Sequence, residues 1–203
     1  MYRVADSSDD NDLMLAAGQG DREAFGILVE RHRCAVAQFA YRFLATPDRG
    51  TAEDLAQDVF LAAWKAAPAF RPRAGVLTWL LRITTNICLN YRRDSRLRRA
   101  ATLDADGTPA RAVSDIDCPM TRAAGCEQAV SVRMAIADLP ANQRAAILLR
   151  HFQGLCYREI ADVLDTSVPA VESLLFRARR TLHTTLAAEN ECTPQVFPEA
   201  RVE

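Results

Sequence analysis

At 203 residues, 49% of them hydrophobic, the chain can form one ordinary domain or two small helical ones, and global disorder is excluded. Its 25 Lys and Arg against 26 Asp and Glu leave a net charge of −1, which excludes binding of nucleic acid through bulk positive charge. The distribution is uneven, however: residues 1–30 hold two Arg against seven acids, while residues 71–99 hold eight Arg against the single Asp94.

No run of 18 or more apolar residues occurs, so no membrane span is expected, and the opening MYRVADSSDDND lacks the basic start and apolar run of a signal peptide. The expected location is the cytoplasm, where the six cysteines (Cys34, Cys88, Cys118, Cys126, Cys156 and Cys192) stay reduced. None forms a Cys-x-x-Cys pair, and neither His32 with Cys34 nor His151 with Cys156 has the spacing of zinc ligands, so neither a metal nor a cofactor is expected. Cys34 and Cys88 lie among apolar residues at helical spacing and read as small buried hydrophobes.

Apolar residues recur three and four apart along almost the whole chain, and no Asn-Gly or Asp-Gly hairpin signal is present, which predicts an all-α protein. Residues 1–10 are expected to be disordered. A first helix starts near Asp12 and ends at Gly18–Gly20, and Asp21 caps a longer one through Phe25, Leu28, Val36, Phe39 and Phe43. A turn at 46–50 leads to a third helix capped by Thr51, with Asp54 three residues on. This helix stops at Pro68. After a loop with Pro72 and Gly75, a long helix runs from about Leu77 to Arg99.

Composition changes at residue 100. Residues 100–125, rich in Ala, Asp and Thr with Pro109 and Pro119, read as a flexible linker. Helical patterning resumes at 127–138, 140–152, 157–165 and 168–188. The tail from 189 to 203 has two prolines and little to bury, so disorder is expected there.

The last two helices have the layout of a helix-turn-helix. Ile160, Ala161 and Leu164 share one face of the short helix, Asp165-Thr166-Ser167 makes a turn with Ser167 as N-cap, and the next helix carries an apolar stripe of Val171, Leu174, Leu175, Ala178 and Leu182. Its other side presents Glu172, Ser173, Phe176, Arg177 and Arg180. A major groove admits one helix and is read by side chains near that helix's N-terminus, where Glu172 and Ser173 stand.

Two helices of the first half also carry unusual faces. On 51–67, Leu55, Val59, Ala62 and Ala66 form an expected core stripe, and Phe60 with Trp64 a second apolar line. Between them lies a narrow strip of Asp54, Asp58 and Leu61 flanked by Gln57, a docking surface for a basic partner helix. On 77–99, Arg82, Thr85, Asn86, Leu89, Arg93 and Arg96 project in one general direction, with Trp79 and Tyr91 on the same helix. Arg, Asn and aromatic residues interleaved in this way suit single-stranded bases, which offer both π-faces and free hydrogen-bonding edges.

These segments resemble a known family. AGQGDREAFGILVERH, TAEDLAQDVFLAAWKA and AFRPRAGVLTWLLRITTNICLNYRR are similar to sigma domain two of the extracytoplasmic-function (ECF) sigma factors, and LPANQRAAILLRHFQGLCYREIADVLDTSVPAVESLLFRARRTL to sigma domain four. The match covers 11–99 and 127–187, in order. It implies two small helical domains, a domain-two bundle over 11–99 and a domain-four helix-turn-helix over 126–188, joined by the linker.

The resemblance implies partners and roles as well. Core RNA polymerase would be gripped through the clamp helices of its largest subunit by Asp54, Gln57, Asp58 and Leu61, and through the flap of its second-largest subunit. The −10 element would be read by Arg71, Arg73, Trp79, Arg82, Asn86, Asn90, Arg93 and Arg96, with Asn86 helping to capture a flipped base. The −35 element would be read by Glu172, Ser173, Phe176, Arg177 and Arg180. An anti-sigma factor is a further implied partner, and no catalysis is implied.

Three departures stand out. Glu172 replaces a frequent Arg or Lys, Pro72-Arg73-Ala74-Gly75 replaces the usual Gly-Asp loop, and Cys156 takes an N-cap usually held by Ser. The 26-residue linker reaches roughly 85 Å at about 3.3 Å per residue, more than the roughly 70 Å of two DNA turns. The rival readings are a stand-alone helix-turn-helix regulator, for which the acidic strip has no use, and a helical scaffold or anti-sigma-like protein.

Overall fold

A computed structural model describes residues 7–44, 49–72, 74–101 and 127–191. Eight α-helices are present among them, and no strand. In chain order these are α1 (Ser7–Gly18), α2 (Arg22–Leu44), α3 (Arg49–Ala66), α4 (Val76–Ala101), α5 (Glu127–Asp138), α6 (Ala141–His151), α7 (Tyr157–Leu164) and α8 (Val168–Glu191), with a short 3₁₀ turn at Ala67–Ala69. The all-α expectation holds.

Helices α1 to α4 form the first domain, with α2 packed on each of the other three. Asp21 caps α2 as expected, its Oδ1 accepting from the amides of Glu23 at 2.9 Å and Ala24 at 3.0 Å. Met14, Leu28, Val36, Val59, Ala63 and Leu80 fill one core, and each fully buried large aliphatic there contributes about 1.5–3 kcal/mol. Gly18 ends α1 where a Cβ would meet the Ala67 carbonyl oxygen at 2.8 Å, so no larger residue fits without backbone movement. The expected α3 stripe shifts by a residue. Ala52, Leu55, Ala56, Val59 and Ala63 are buried, whereas Ala62 and Ala66 are only half-buried, since it is Ala63 that joins the core cluster with Leu28, Val36 and Leu80.

Several boundaries differ from the sequence expectation. Helix α1 begins at Ser7, five residues before Asp12, so residues 7–10 are not a disordered tail. Asp10 explains this: it is 5% exposed and bonds Arg31 Nη1 at 2.6 Å and His32 Nε2 at 2.9 Å, which ties the first turn to α2. Helix α3 starts at Arg49, so Thr51 lies inside it and is not its cap; the turn residues 45–48 lie outside the described residues. Residues 100 and 101 continue α4, and α8 extends to Glu191, past the expected start of the tail. The remaining linker and the tail from 192 onward lie outside the described residues. Cys34 is exposed, contrary to the buried reading, because it falls on the outer side of α2; Cys88 is buried as expected, and burial pushes its thiol up to about 12.

The Asp10–His32 pair has a consequence for stability. Burial holds the His32 imidazole below its ordinary 6.5, Asp10 pulls it back up through charge and hydrogen bonding, and Arg31 adds to the depression. The unfolded chain therefore binds the extra proton first as pH falls. Stability from this site is complete above about pH 6.5 and is lost as pH drops through the lowered folded value. Urea melts at about pH 7.5 and about pH 5.5 should differ more for wild type than for His32→Gln. An identical pH response in both would show that His32 does not titrate on unfolding.

The second domain is α5 to α8. Gly154, at φ 73, turns the chain after α6 in a left-handed conformation that suits glycine. The two domains are docked. One continuous core runs from Phe39, Phe43 and Leu81 of the first to Leu139, Leu148, Ile160 and Leu175 of the second. Helix α4 packs along α7, and α2 along α5 and α6.

Candidate nucleic-acid and partner interfaces

On α3, a period of about 3.6 residues brings Asp54, Gln57, Asp58 and Leu61 within an arc of about 100°. All four are exposed, Leu61 to 59%. Neither carboxylate is drawn into an ion pair among the described residues. The second apolar line expected here is spent internally. Phe60 and Trp64 pack edge-on against Phe25 of α2, with ring centroids 6.5 and 5.0 Å away. What remains outside is a narrow acidic strip with one apolar side chain at its end.

On α4, the residues expected on one face divide between two surroundings. Arg82, Asn86, Asn90 and Arg93 are exposed and span an arc of about 80°. Thr85 is fully buried, and Leu89 is half-buried against the shared core. Thr85 Oγ1 has no hydrogen-bond partner among the described residues. Thr85 therefore leaves the strand-facing set: it faces the interior, not solvent. Trp79, half-buried, sets its ring edge-on to Phe70 at 5.4 Å, and Arg71 donates from Nη1 to the Phe70 carbonyl at 2.9 Å. Both residues thus bracket the entry to α4. Arg73 and the side chain of Arg96 lie outside the described residues.

On α8, Asp165 takes the left-handed conformation at φ 52 and ends α7, and Ser167 Oγ accepts from the Ala170 amide at 3.4 Å. Val171, Leu175 and Ala178 are buried, and Glu172, Ser173, Phe176, Arg177 and Arg180 are all exposed on the far side, Phe176 to 66%. The Ser173 hydroxyl donates to the Pro169 carbonyl at 3.0 Å, so toward a base it offers only acceptor capacity. Glu172 has no ion pair among the described residues. Near α8, His151 is held below its ordinary 6.5 by desolvation first and then by the positive charges of Arg179 and Arg150. That marks a basic field on this side of the domain. The α7 cap at Cys156 is held from the other partner, with its amide donating to Glu159 Oε2 at 2.7 Å, which offsets the weak sulfur.

Residues 28–98 match the family described as Sigma-70 region 2, and residues 129–182 match Sigma-70, region 4. An ECF RNA polymerase sigma-E factor of Escherichia coli (strain K12) is 34% identical over 179 residues, covering 85% of this chain and 92% of that protein. The ECF RNA polymerase sigma-E factor of Haemophilus influenzae is 32% identical over 188 residues, covering 88% and 96%. The chain belongs to the ECF sigma factors.

Among solved structures, CnrH in complex with the cytosolic domain of CnrY is similar at a TM-score of 0.65 and 33% identity, over 89% of this chain and 99% of that one. The sigma factor RpoE of Bartonella quintana, solved with the anti-sigma factor NepR, shares the fold at a TM-score of 0.63 and 24% identity, over 81% and 98%. This ECF sigma factor is thus a transcription initiation factor by family, not a member of a family of catalysts. No helix among its described residues is long and apolar enough to cross a membrane.

The sigma-factor signature covers the three faces above but misses what lies between them. Asp162 of α7 lines a cavity with Arg71 and Arg82, and Asp165, just past α7, lies 3.5 Å from Arg82, a neighbourhood made by residues 80 or more positions apart. No local signal in the sequence announces it.

Proposed function

We propose that the chain binds core RNA polymerase and directs it to promoters as a two-element reader. The acidic strip Asp54, Gln57, Asp58 and Leu61 docks on the clamp helices of the largest subunit, and the second domain also contacts the flap of the second-largest. The α4 side, with Arg71, Trp79, Arg82, Asn86, Asn90 and Arg93, and with Arg73 and Arg96 from sequence alone, holds the −10 strand. Glu172, Ser173, Phe176, Arg177 and Arg180 read the −35 duplex. An anti-sigma factor holds the chain in reserve, a reading supported by the likeness to the sigma factor RpoE of Bartonella quintana, solved with the anti-sigma factor NepR. The chain works in the cytoplasm and carries no catalytic activity of its own.

The observation that carries this reading is the exposed arc of Arg82, Asn86, Asn90 and Arg93 on α4. It places cations for phosphates and amides for base edges side by side on one rigid helix. Melting a promoter costs stacking of about 1.4 kcal/mol per step, and capturing unstacked bases on a preformed surface offsets part of it. Run-off transcription with core polymerase over a library of randomised upstream sequences tests the proposal. Transcripts selected for two motifs separated by a fixed spacer support it, and no dependence of initiation on the chain would refute it.

A further inference from the structure

Of the 25 Lys and Arg residues in the chain, Lys65 is the single lysine and all the rest are arginine. Amine chemistry therefore finds one side chain in this sequence. A guanidinium stays charged and offers no free lone pair to an electrophile, whereas an ε-amine becomes a nucleophile once it has given a proton to water.

The fold puts that amine on the acidic strip. At about 100° per residue, Lys65 falls between Asp58 and Leu61, inside the arc that also holds Asp54 and Gln57. It is exposed and stands in the last turn of α3, beyond Leu61 by one turn, or about 6 Å along the helix. The positions three and four residues to either side are Leu61, Ala62, Pro68 and Ala69, so its own helix offers it no carboxylate. Lys65 forms no ion pair elsewhere among the described residues. These neighbours are apolar and mostly small, which leaves the amine open to a reagent.

The strip is thus bipolar along its length, with Asp54 and Asp58 toward one end and a lone cation at the other. Any partner helix long enough to cover Asp54 through Leu61 meets Lys65 as well. Cations opposite it would repel the ammonium, and apolar groups over it would strand a charge. A complementary partner therefore presents a carboxylate there.

We propose that Lys65 is an acylation site, through which an acyl phosphate weakens docking of the chain on core polymerase. This inference rests on the reading of the acidic strip given above. The neutral ε-amine attacks the carbonyl carbon of the acyl phosphate. A C–N bond forms, the C–O bond to the phosphate breaks, and phosphate leaves with the bonding pair while the nitrogen releases its second proton to water. The resulting amide is uncharged, so the partner's carboxylate loses its counter-charge in the docked state. Docking in turn covers the amine, and acylation acts on the free chain.

The test treats the full chain alone with acetyl phosphate, removes the reagent and titrates labelled core polymerase. Hydroxylamine first strips acyl groups from the exposed Cys34 and Cys156, and peptide mass spectrometry reads the occupancy of Lys65. Treated wild type should bind core polymerase about five-fold more weakly than untreated, and the gap should close at high salt. A cation near a helix C-terminus also complements the helix dipole, and Lys65→Arg keeps that role without an amine. Its affinity should be the same before and after treatment. Lys65→Gln, which removes the charge with no reagent, should bind as treated wild type does. In preformed holoenzyme, Lys65 should acetylate far more slowly than in the free chain. No acetyl group at Lys65, equal affinity of treated and untreated chain, a loss that Lys65→Arg shares, or equal labelling rates in holoenzyme and free chain each overturn the proposal. Asp54→Ala with Asp58→Ala separates the two readings. If that variant binds as wild type does, the strip is not the docking surface and the lysine proposal falls with it; if it binds weakly while acetylation changes nothing, the lysine proposal alone falls.

Discussion

Asp54→Ala combined with Asp58→Ala is expected to weaken binding to core polymerase by roughly thirty-fold, about 2 kcal/mol, while leaving the fold unchanged. Both side chains are exposed and neither has an ion-pair partner among the described residues, so their removal takes nothing from the folded state. As like charges four apart on one helix they repel each other slightly, and the double variant should melt at or just above the wild-type temperature. Against a basic partner helix the same two charges add attraction and steering, and that part weakens with salt. Equilibrium titration of labelled core polymerase at low and high salt checks both points. The variant should lose affinity and show a shallower salt dependence. Equal affinity at low salt would remove the docking role from this strip.

Asn86→Ala and Glu172→Ala are expected to fail in different ways, because one residue faces an unpaired strand and the other a closed duplex. Asn86 is exposed within the Arg82, Asn90 and Arg93 arc, so its loss should slow open-complex formation on duplex promoters. A pre-melted bubble should rescue the melting part of that defect and no more. Glu172 lies in the second turn of α8, pointing away from the core formed by Val171, Leu175 and Ala178. A carboxylate there accepts from cytosine N4 in the major groove, and a direct contact of this kind is worth about 1–3 kcal/mol of discrimination. Glu172→Ala should therefore change the ranking of upstream sequences in competition binding of the holoenzyme. A Glu172 tied to an arginine of its own helix would not be free to read a base, and no such pair forms among the described residues. An unchanged ranking would strip Glu172 of its base-reading role.

The helices, their order and the three exposed faces follow from local periodicity. Apolar residues at three- and four-residue spacing specify a helix and its buried side together, so the positions left over on α3, α4 and α8 could be named in advance. Caps followed the same logic: Asp21 and Ser167 act through atoms two or three residues away. Where a partner came from far along the chain, local reading fell short. Helix α1 extends back to Ser7 because Asp10 finds Arg31 and His32 on α2. Thr85 leaves the strand-facing set because one flank of α4 is turned toward the interior, a distinction that periodicity alone does not draw. The burial of Arg144, a charged residue in a pattern that reads as an ordinary helix surface, depends on a carbonyl 101 residues away. The placing of Asp162 and Asp165 beside Arg71 and Arg82 depends likewise on how the two domains dock. Docking is decided by area and shape complementarity between finished surfaces, which no window of sequence contains, and only the tertiary structure brings those groups together.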